Sequence, residues 1–421
     1  MKVNIEALTR VEGEGGLEVR LKDGRVEELK LRIYEPPRFI EGILRGKPYH
    51  VIPDITSRIC GICPVAYQMS GVLAIEDAFG VQVPEDIERI RRLMYCGEWI
   101  QSHALHVFFL HLPDFYRVPS VIELSKMDRE LVLAGMDIKR AGSLIIQLLG
   151  GRTSHPVSLQ AGGFSGLPET LEGLKEDLEE ALEKSLWASK RLKPLNFPSF
   201  ELELPYLSLV EEEYPVMGRE LHFEGKTIRA EEFKEHFMET EVAYSNAKHG
   251  LTRKGKAYLV GPLARFNNAY EKLSPMALDL ARELGLEPPM NNPYKSLLVR
   301  MVEVVHALER AINLVENYTK PERTKVDFLP REGEGYGATE APRGVLWHHY
   351  RFSPEGKITY ADIVPPTSQN QRAMELSLIR FIESLDELTE RKILEGAEPM
   401  IRNFDPCISC ATHFLKVKVH V

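Results

Sequence analysis

Five cysteines in 421 residues are too few for a disulfide scaffold. The chain also has no uninterrupted apolar stretch long enough to span a bilayer. Its amino terminus, MKVNIEALTRVEGEGG, lacks the basic start, apolar run and small-residue cleavage site of a secretory signal. The expected location is therefore cytoplasmic, with the proviso that a partner bearing a signal can carry such a subunit across a membrane. Positive charge is in deficit: 53 basic against 62 acidic residues leave a formal charge of −9 and a pI near 5.9. No global basic field exists to hold nucleic acid or an anionic membrane. Internal repeats, low-complexity tracts and flexible Gly/Ser linkers are missing as well. What is present, 43% hydrophobic residues, suffices for a large buried core.

The first 35 residues alternate in strand fashion. Leu17, Val19 and Leu21 are followed by a turn at Asp23-Gly24 and then by Leu29, Leu31 and Ile33, and Asp-Gly supplies the positive φ angles of a tight hairpin. From Cys63 onward three-and-four spacing of apolar residues predicts helices over 64–79, 86–112, 121–149, 168–191, 276–285, 293–318 and 368–394. In 168–191, Leu171, Leu174, Leu178, Leu182 and Leu186 form one stripe, and the acidic face opposite reads as solvated. The stretch 197–265 mixes short strand-like runs with charged turns and is open to reading as a small mixed β insertion. The expected architecture is a single, mainly helical α+β domain over residues 1–413, with a central long-helix bundle and peripheral β hairpins. Glycine and proline cluster at 11–16, 150–166, 332–344 and 362–370, and these read as loops that build a site on the scaffold.

Four of the five cysteines form two Cys-x-x-Cys pairs, RICGICP (58–64) and DPCISC (405–410). Each pair turns two sulfurs toward one metal, so together they make a four-thiolate site. The bland interpretation is a structural zinc. Roughly 340 residues lie between the pairs, against about 15 to 20 in a zinc ribbon, yet closing a loop about 20 times longer costs only about 2.6 kcal/mol more. That is small beside the ~10 to 16 kcal/mol a zinc site returns. Arg58 before the first pair and Asp405 before the second are groups that move protons or hold anions, which a closed structural site does not need. Spacing alone leaves zinc, a redox metal and disulfide chemistry open.

A resemblance adds to this. RICGICP together with DPCISCATH resembles the two cysteine motifs of the large, catalytic subunit of nickel-iron hydrogenases. RVEGEG (10–15), FIEG (39–42), QSHALHVFFLHLPDF (101–115), GGRTSHP, GPLARFN, TEAPRG and VPPTSQN follow in that family's order. The resemblance implies a nickel-iron centre, with carbon monoxide and cyanide on the iron, held by Cys60 and Cys407 as terminal nickel ligands and by Cys63 and Cys410 as bridges. It further implies reversible heterolytic cleavage of H2, with the two ends of the chain meeting at one cofactor.

Other roles rest on the same resemblance. Glu12 is the expected proton-gate carboxylate beside Cys407, although Glu14 stands where the family usually has a histidine. Arg343 is expected to overhang the metals and donate to a cyanide, with Asp405 orienting it and Thr367 serving the other cyanide. Glu41 and His413 match two ligands of a buried magnesium. His103 and His106 share a helix face, and His103 is expected to donate to a bridging sulfur. Ser102 replaces an acidic residue of some relatives, and Tyr67 a histidine of many. Cys96 reads as a small buried apolar residue.

The tail 414–421 reads either as a maturation extension, removed after His413 by an endopeptidase once nickel insertion proteins have delivered the metal, or as a retained edge strand. A buried centre that uses four of five cysteines needs a small partner subunit with iron-sulfur clusters. The subgroup most resembled, the soluble NAD(P)-linked hydrogenases and sulfhydrogenases, adds flavin- or NAD(P)-binding and further iron-sulfur subunits, with NAD(P) or a sulfur compound as acceptor. Two rivals are a zinc-stapled protein without catalysis and a relative of the quinone-site subunit of respiratory complex I, which has lost the metal-binding cysteines.

Overall fold

The computed structural model describes residues 1–412, so His413 and the 414–421 tail lie outside the described residues. The amino-terminal hairpin forms as its alternation predicts. Strands β1 (Lys2–Ile5), β2 (Gly15–Lys22) and β3 (Arg25–Ile33) make one antiparallel sheet. Asp23 and Gly24 both take positive φ, 50° and 74°, at the turn, and all six alternating apolar residues are buried.

Four long helices form the central bundle: α2 (Glu85–Ala104), α3 (Arg129–Gly150), α4 (Leu174–Leu192) and α5 (Ser296–Glu316), preceded in the chain by α1 (Pro64–Phe79). α2 packs on α3 and α5, and α4 closes the ring by packing on the same two. Several predicted helices are interrupted where side chains compete for the backbone. The 121–149 span breaks at Asp128, which leaves helical geometry and accepts from Leu131 N at 3.2 Å as the cap of α3. The 368–394 span divides into α6 (Pro366–Glu383) and α7 (Glu390–Arg402), with Thr389 capping the second. Beyond α2 the helix widens into a π-helix, Leu105–His111, a form that concentrates at functional sites.

Beyond the expected hairpins, a sheet runs through the interior. Strands β4 (Gly333–Ala341), β5 (Gly344–Phe352) and β6 (Ile358–Val364) pair antiparallel, and Met217–Gly218 adds an edge. The glycine-rich stretch from 332, expected to be a loop, is thus largely strand. Its glycines serve close approach to α1: a Cβ on Gly335 would stand 2.1 Å from Ala74 O, and one on Gly337 2.1 Å from Ser70 O. The proline cluster at 362–370 is the β6–α6 junction, with Pro366 as the first residue of α6. Six short strands lie within 207–252. No helix among the described residues is long and apolar enough to cross a membrane.

Candidate metal centre

Cys60 and Cys63 occupy the turn between the short helix Ile52–Ser57 and α1, with Cys63 as the residue that caps α1. The turn folds back on its own sulfur, because Ile62 N and Cys63 N both point at Cys60 Sγ, at 3.3 and 3.4 Å. Cys407 precedes a single helical turn, Ile408–Ala411, that carries Cys410. The two ends of the chain do meet. Cys60 Sγ lies 3.2 Å from Cys407 Sγ, Cys407 Sγ lies 2.7 Å from Cys410 Sγ, and the sulfurs of Cys60, Cys407 and Cys410 all stand within 4.8 Å of one another. The Cys63 thiol interacts with all three. Burial opposes ionisation of Cys60, but hydrogen bonds from Cys407, Cys410 and Cys63 outweigh it and hold this thiol well below its ordinary range. Burial pushes Cys407 and Cys410 well up, and the hydrogen bond with Cys407 leads in raising Cys63. The set therefore releases its protons stepwise as one unit, and only a cation in its midst favours full ionisation.

Glu12 is bound to the second pair by backbone as well as side chain. It forms a parallel bridge with Cys407, and its carbonyl accepts from Ile408 N at 2.9 Å. One carboxylate oxygen stands 3.1 Å from Cys407 Sγ and also accepts from Ser409 N at 3.1 Å. The segment is clamped from behind, where Asp114 bridges Arg10 and Arg402 and Arg402 Nη1 donates to Thr9 O at 2.7 Å. Thr367, in the first turn of α6, accepts from Cys407 N at 3.1 Å.

Arg343 sits in the β4–β5 turn and is gripped by Asp405: Nε donates to the Asp405 carbonyl at 2.6 Å and Nη2 to its carboxylate at 3.1 Å. Asp405 takes the left-handed conformation, φ 50°, that turns both groups toward the arginine. Arg343 is 2% exposed, and its charge acts on Cys60, Cys63 and Cys407. Arg343 Nη1, Asp405 Oδ2 and the Tyr67 hydroxyl are buried with no hydrogen-bond partner among the described residues. An orphaned buried polar atom, donor or acceptor, costs about 1–3 kcal/mol. Three such atoms around a thiolate cluster fit a centre that brings polar ligands of its own, and soft thiolates suit nickel and iron.

Arg343 is held indirectly by a network that the sequence did not reveal. Arg265, fully buried, spends five N–H bonds: Nε and Nη2 on Glu303 at 2.7 and 2.8 Å, Nη1 on Glu340 at 2.9 Å and Ala341 O at 3.0 Å, and Nη2 again on Pro342 O at 3.1 Å. Tyr214 OH donates to Glu303 at 2.8 Å. Burial pushes Glu340 up to about 7, whereas at Glu303 the Arg265 guanidinium overcomes burial and holds the carboxyl well below the usual carboxylate range. His103 belongs to this network. Its Nε2 stands 2.9 Å from Glu303 Oε2, and neither ring nitrogen bonds a sulfur. The expected contact with a bridging sulfur is thus replaced by one with a buried carboxylate, against which Trp99 and α5 hold the ring. His106 Nε2 lies 2.7 Å from Arg402 O, which places this histidine in the core and not at the sulfurs. Cys96 is half-buried beside Trp99, Tyr214 and His306.

Glu41, on the helix Ile40–Leu44, is buried and accepts from Ile363 N at 2.9 Å. Burial raises its carboxyl to about 7, against the pull of Lys248. Its expected companion His413 is outside the described residues. A second buried carboxyl, Glu98 of α2, meets the start of α1. Glu98 and Glu303 fall on predicted helices, where apolar spacing alone does not separate a buried charge from a solvated one, and the GPLARFN and TEAPRG motifs that contain Arg265 and Glu340 do not by themselves disclose that these two meet.

Comparison with known proteins agrees with this geometry. The family model described as nickel-dependent hydrogenase matches residues 38–130 and 217–413. Sulfhydrogenase 2 subunit alpha of Pyrococcus furiosus is 36% identical over 99% of this chain and 100% of its own length, and sulfhydrogenase 1 subunit alpha of the same organism is 33% identical over 99% of each. The crystal structure of an NAD+-reducing [NiFe]-hydrogenase in the H2-reduced state superposes with a TM-score of 0.89 at 27% identity, over 98% of this chain and 99% of that one.

Proposed function

The chain belongs to the nickel-dependent hydrogenase family, and on that premise we propose that it is the catalytic subunit of a nickel-iron hydrogenase that splits or forms H2 at the four-cysteine site. The observation that carries the reading is the meeting of Cys60, Cys407 and Cys410 with Glu12 set 3.1 Å from Cys407 Sγ. Cys60 and Cys407 would hold nickel alone, and Cys63 and Cys410 would bridge it to iron. When bound, such a centre supplies the polarisation that makes H2 acidic enough to split heterolytically.

The chain's own residues handle the proton. Cys407 Sγ accepts it, and Glu12, within hydrogen-bond reach, takes it on toward solvent; Glu12 is half-buried and Glu14, two residues on, is exposed. Asp405 fixes the Arg343 guanidinium plane and leaves Nη1 unpaired, so that this donor would be free for a cyanide on the iron. Thr367 steadies Cys407 by accepting from its backbone amide, and its hydroxyl hydrogen would be available to the other cyanide. Glu41 and His413 would hold magnesium.

Electrons need a partner. Four of five cysteines stand at one centre, so clusters must come from a small iron-sulfur subunit, with flavin- or NAD(P)-binding subunits beyond it and NAD(P) or a sulfur compound as acceptor. Assembly would draw on nickel insertion proteins and an endopeptidase acting after His413, all in the cytoplasm. Metal analysis and infrared spectroscopy of the purified complex test the reading. About one nickel and one iron beyond the partner's clusters, with bands from carbon monoxide and cyanide, is the expected result, and one zinc without such bands would overturn it.

A further inference from the structure

We propose that Glu98 is a positioning residue for the metal centre, clamping the first turn of α1 and thereby fixing where the Cys63 sulfur stands. The inference rests on the reading of Cys63 as a metal ligand.

Glu98 is 0% exposed. Its two carboxyl oxygens accept separately from consecutive backbone amides, Oε2 from Val65 N at 2.6 Å and Oε1 from Ala66 N at 3.0 Å. These are the first amides after Cys63 able to donate, because Pro64 has none. Proline also fixes its own φ, so the link from Cys63 to the clamped amides is stiff. Cys63 is tied at its other side by Cys63 N pointing at Cys60 Sγ and by its carbonyl accepting from Tyr67 N at 3.5 Å. A shift of the Val65–Ala66 pair therefore carries Cys63 with it.

The clamp is rigid from behind. Gly97, beside Glu98, lets α2 press onto α3 so closely that a Cβ there would stand 2.9 Å from Gly142 O. The helix bearing Glu98 has no room to follow if α1 moves. A residue that only filled space would not need to be a carboxyl, and no cation among the described residues is bonded to this one. The partial positive charge of a helix start gives such a carboxyl its partners.

The test uses the whole purified complex with Glu98→Gln, which keeps the shape but sets an NH2 against one of the two amides. Glu98→Asp, one methylene too short for either bond, stands in if the first variant does not accumulate. Two readouts are taken: amide hydrogen exchange at Val65 and Ala66, and the infrared bands of the iron's diatomic ligands. Expected are exchange at these amides faster by roughly tenfold, the gain from losing one such bond, and bands displaced from wild type by more than their width in each redox state. Faster exchange with unmoved bands, or no change in either, overturns the proposal. Loss of the hydrogenase reading is a different result, namely a wild-type complex that itself lacks nickel and iron.

Discussion

Replacing Arg265 removes the one cation that serves two buried carboxylates and the carbonyls just before Arg343. Its five N–H groups all have acceptors between 2.7 and 3.1 Å, and its charge lies 4.5 Å over the Trp99 ring. In Arg265→Met, Glu303 and Glu340 stay buried without it, and breaking a buried pair from one side costs about 3 to 5 kcal/mol. At roughly 2.1 cal/mol/K per residue, a chain of this length has an unfolding entropy of about 0.9 kcal/mol/K, so the melting temperature should fall by about 3 to 6 °C. Arg265→Lys keeps the charge but has three donors for five acceptors and no planar fork, so it should recover only part of the loss. Hydrogen–deuterium exchange activity should fall in both variants, because Ala341 and Pro342 no longer hold the turn that aims Arg343. Calorimetry of the purified complex reads the first effect and isotope exchange the second. A drop of less than about 1 °C for Arg265→Met, or full recovery with lysine, would refute the network as the support of Arg343.

Three further outcomes are expected. Glu12→Gln should retain both metals yet slow H/D exchange by about 10² to 10⁴, the usual worth of a proton-transfer group; undiminished exchange would remove Glu12 from the relay. Glu41 has its folded pKa raised to about 7, so without a divalent cation its contribution is most favourable below the unfolded value of 4.5. It is lost as pH rises toward 7, to the extent of roughly 3 kcal/mol. Magnesium should accordingly raise the melting temperature more at pH 8 than at pH 6, and Glu41→Gln should abolish that difference. Gly337→Ala sets a methyl 2.1 Å from Ser70 O and should destabilise by at least about 1 to 3 kcal/mol in denaturant titration, whereas the exposed Gly166, with nothing near its Cβ, should accept alanine with little change.

What the sequence made legible depended on whether local chemistry or distant packing decided the outcome. Apolar spacing placed the bundle helices because their buried faces repeat with the helix, and Asp23-Gly24 announced its turn. The helix breaks at Asp128 and at Thr389 were invisible to that spacing, since the stripe continues across a side-chain cap. The interior sheet was missed for a different reason: Gly335 and Gly337 read as loop, and a strand buried on both faces loses the alternation that identifies it. At the centre, the cysteines, Glu12, Arg343 and Asp405 were reached through resemblance of motifs. Arg265 and Glu340 lie inside matched motifs but were given no role, and Glu98 and Glu303 were not singled out, because burial of a charge is settled by the partner that meets it in space. The contact of His103 with Glu303, 200 positions away in the chain, was likewise out of reach of local spacing.

The pairing of Glu12 with Cys407 also sets a clock on synthesis. Cys60 and Cys407 are separated by 347 positions, and at about 5 to 20 residues per second the second cysteine pair leaves the ribosome roughly 20 to 70 s after the first. Throughout that interval Cys60 and Cys63 have no partner sulfurs, Glu12 has no strand to bridge, and a passing zinc ion or oxidant meets two unguarded thiols. A nascent chain that delays metal uptake until its last turn has folded avoids that mistake, and arrest of translation short of Cys407 should leave the first pair open to thiol-reactive label.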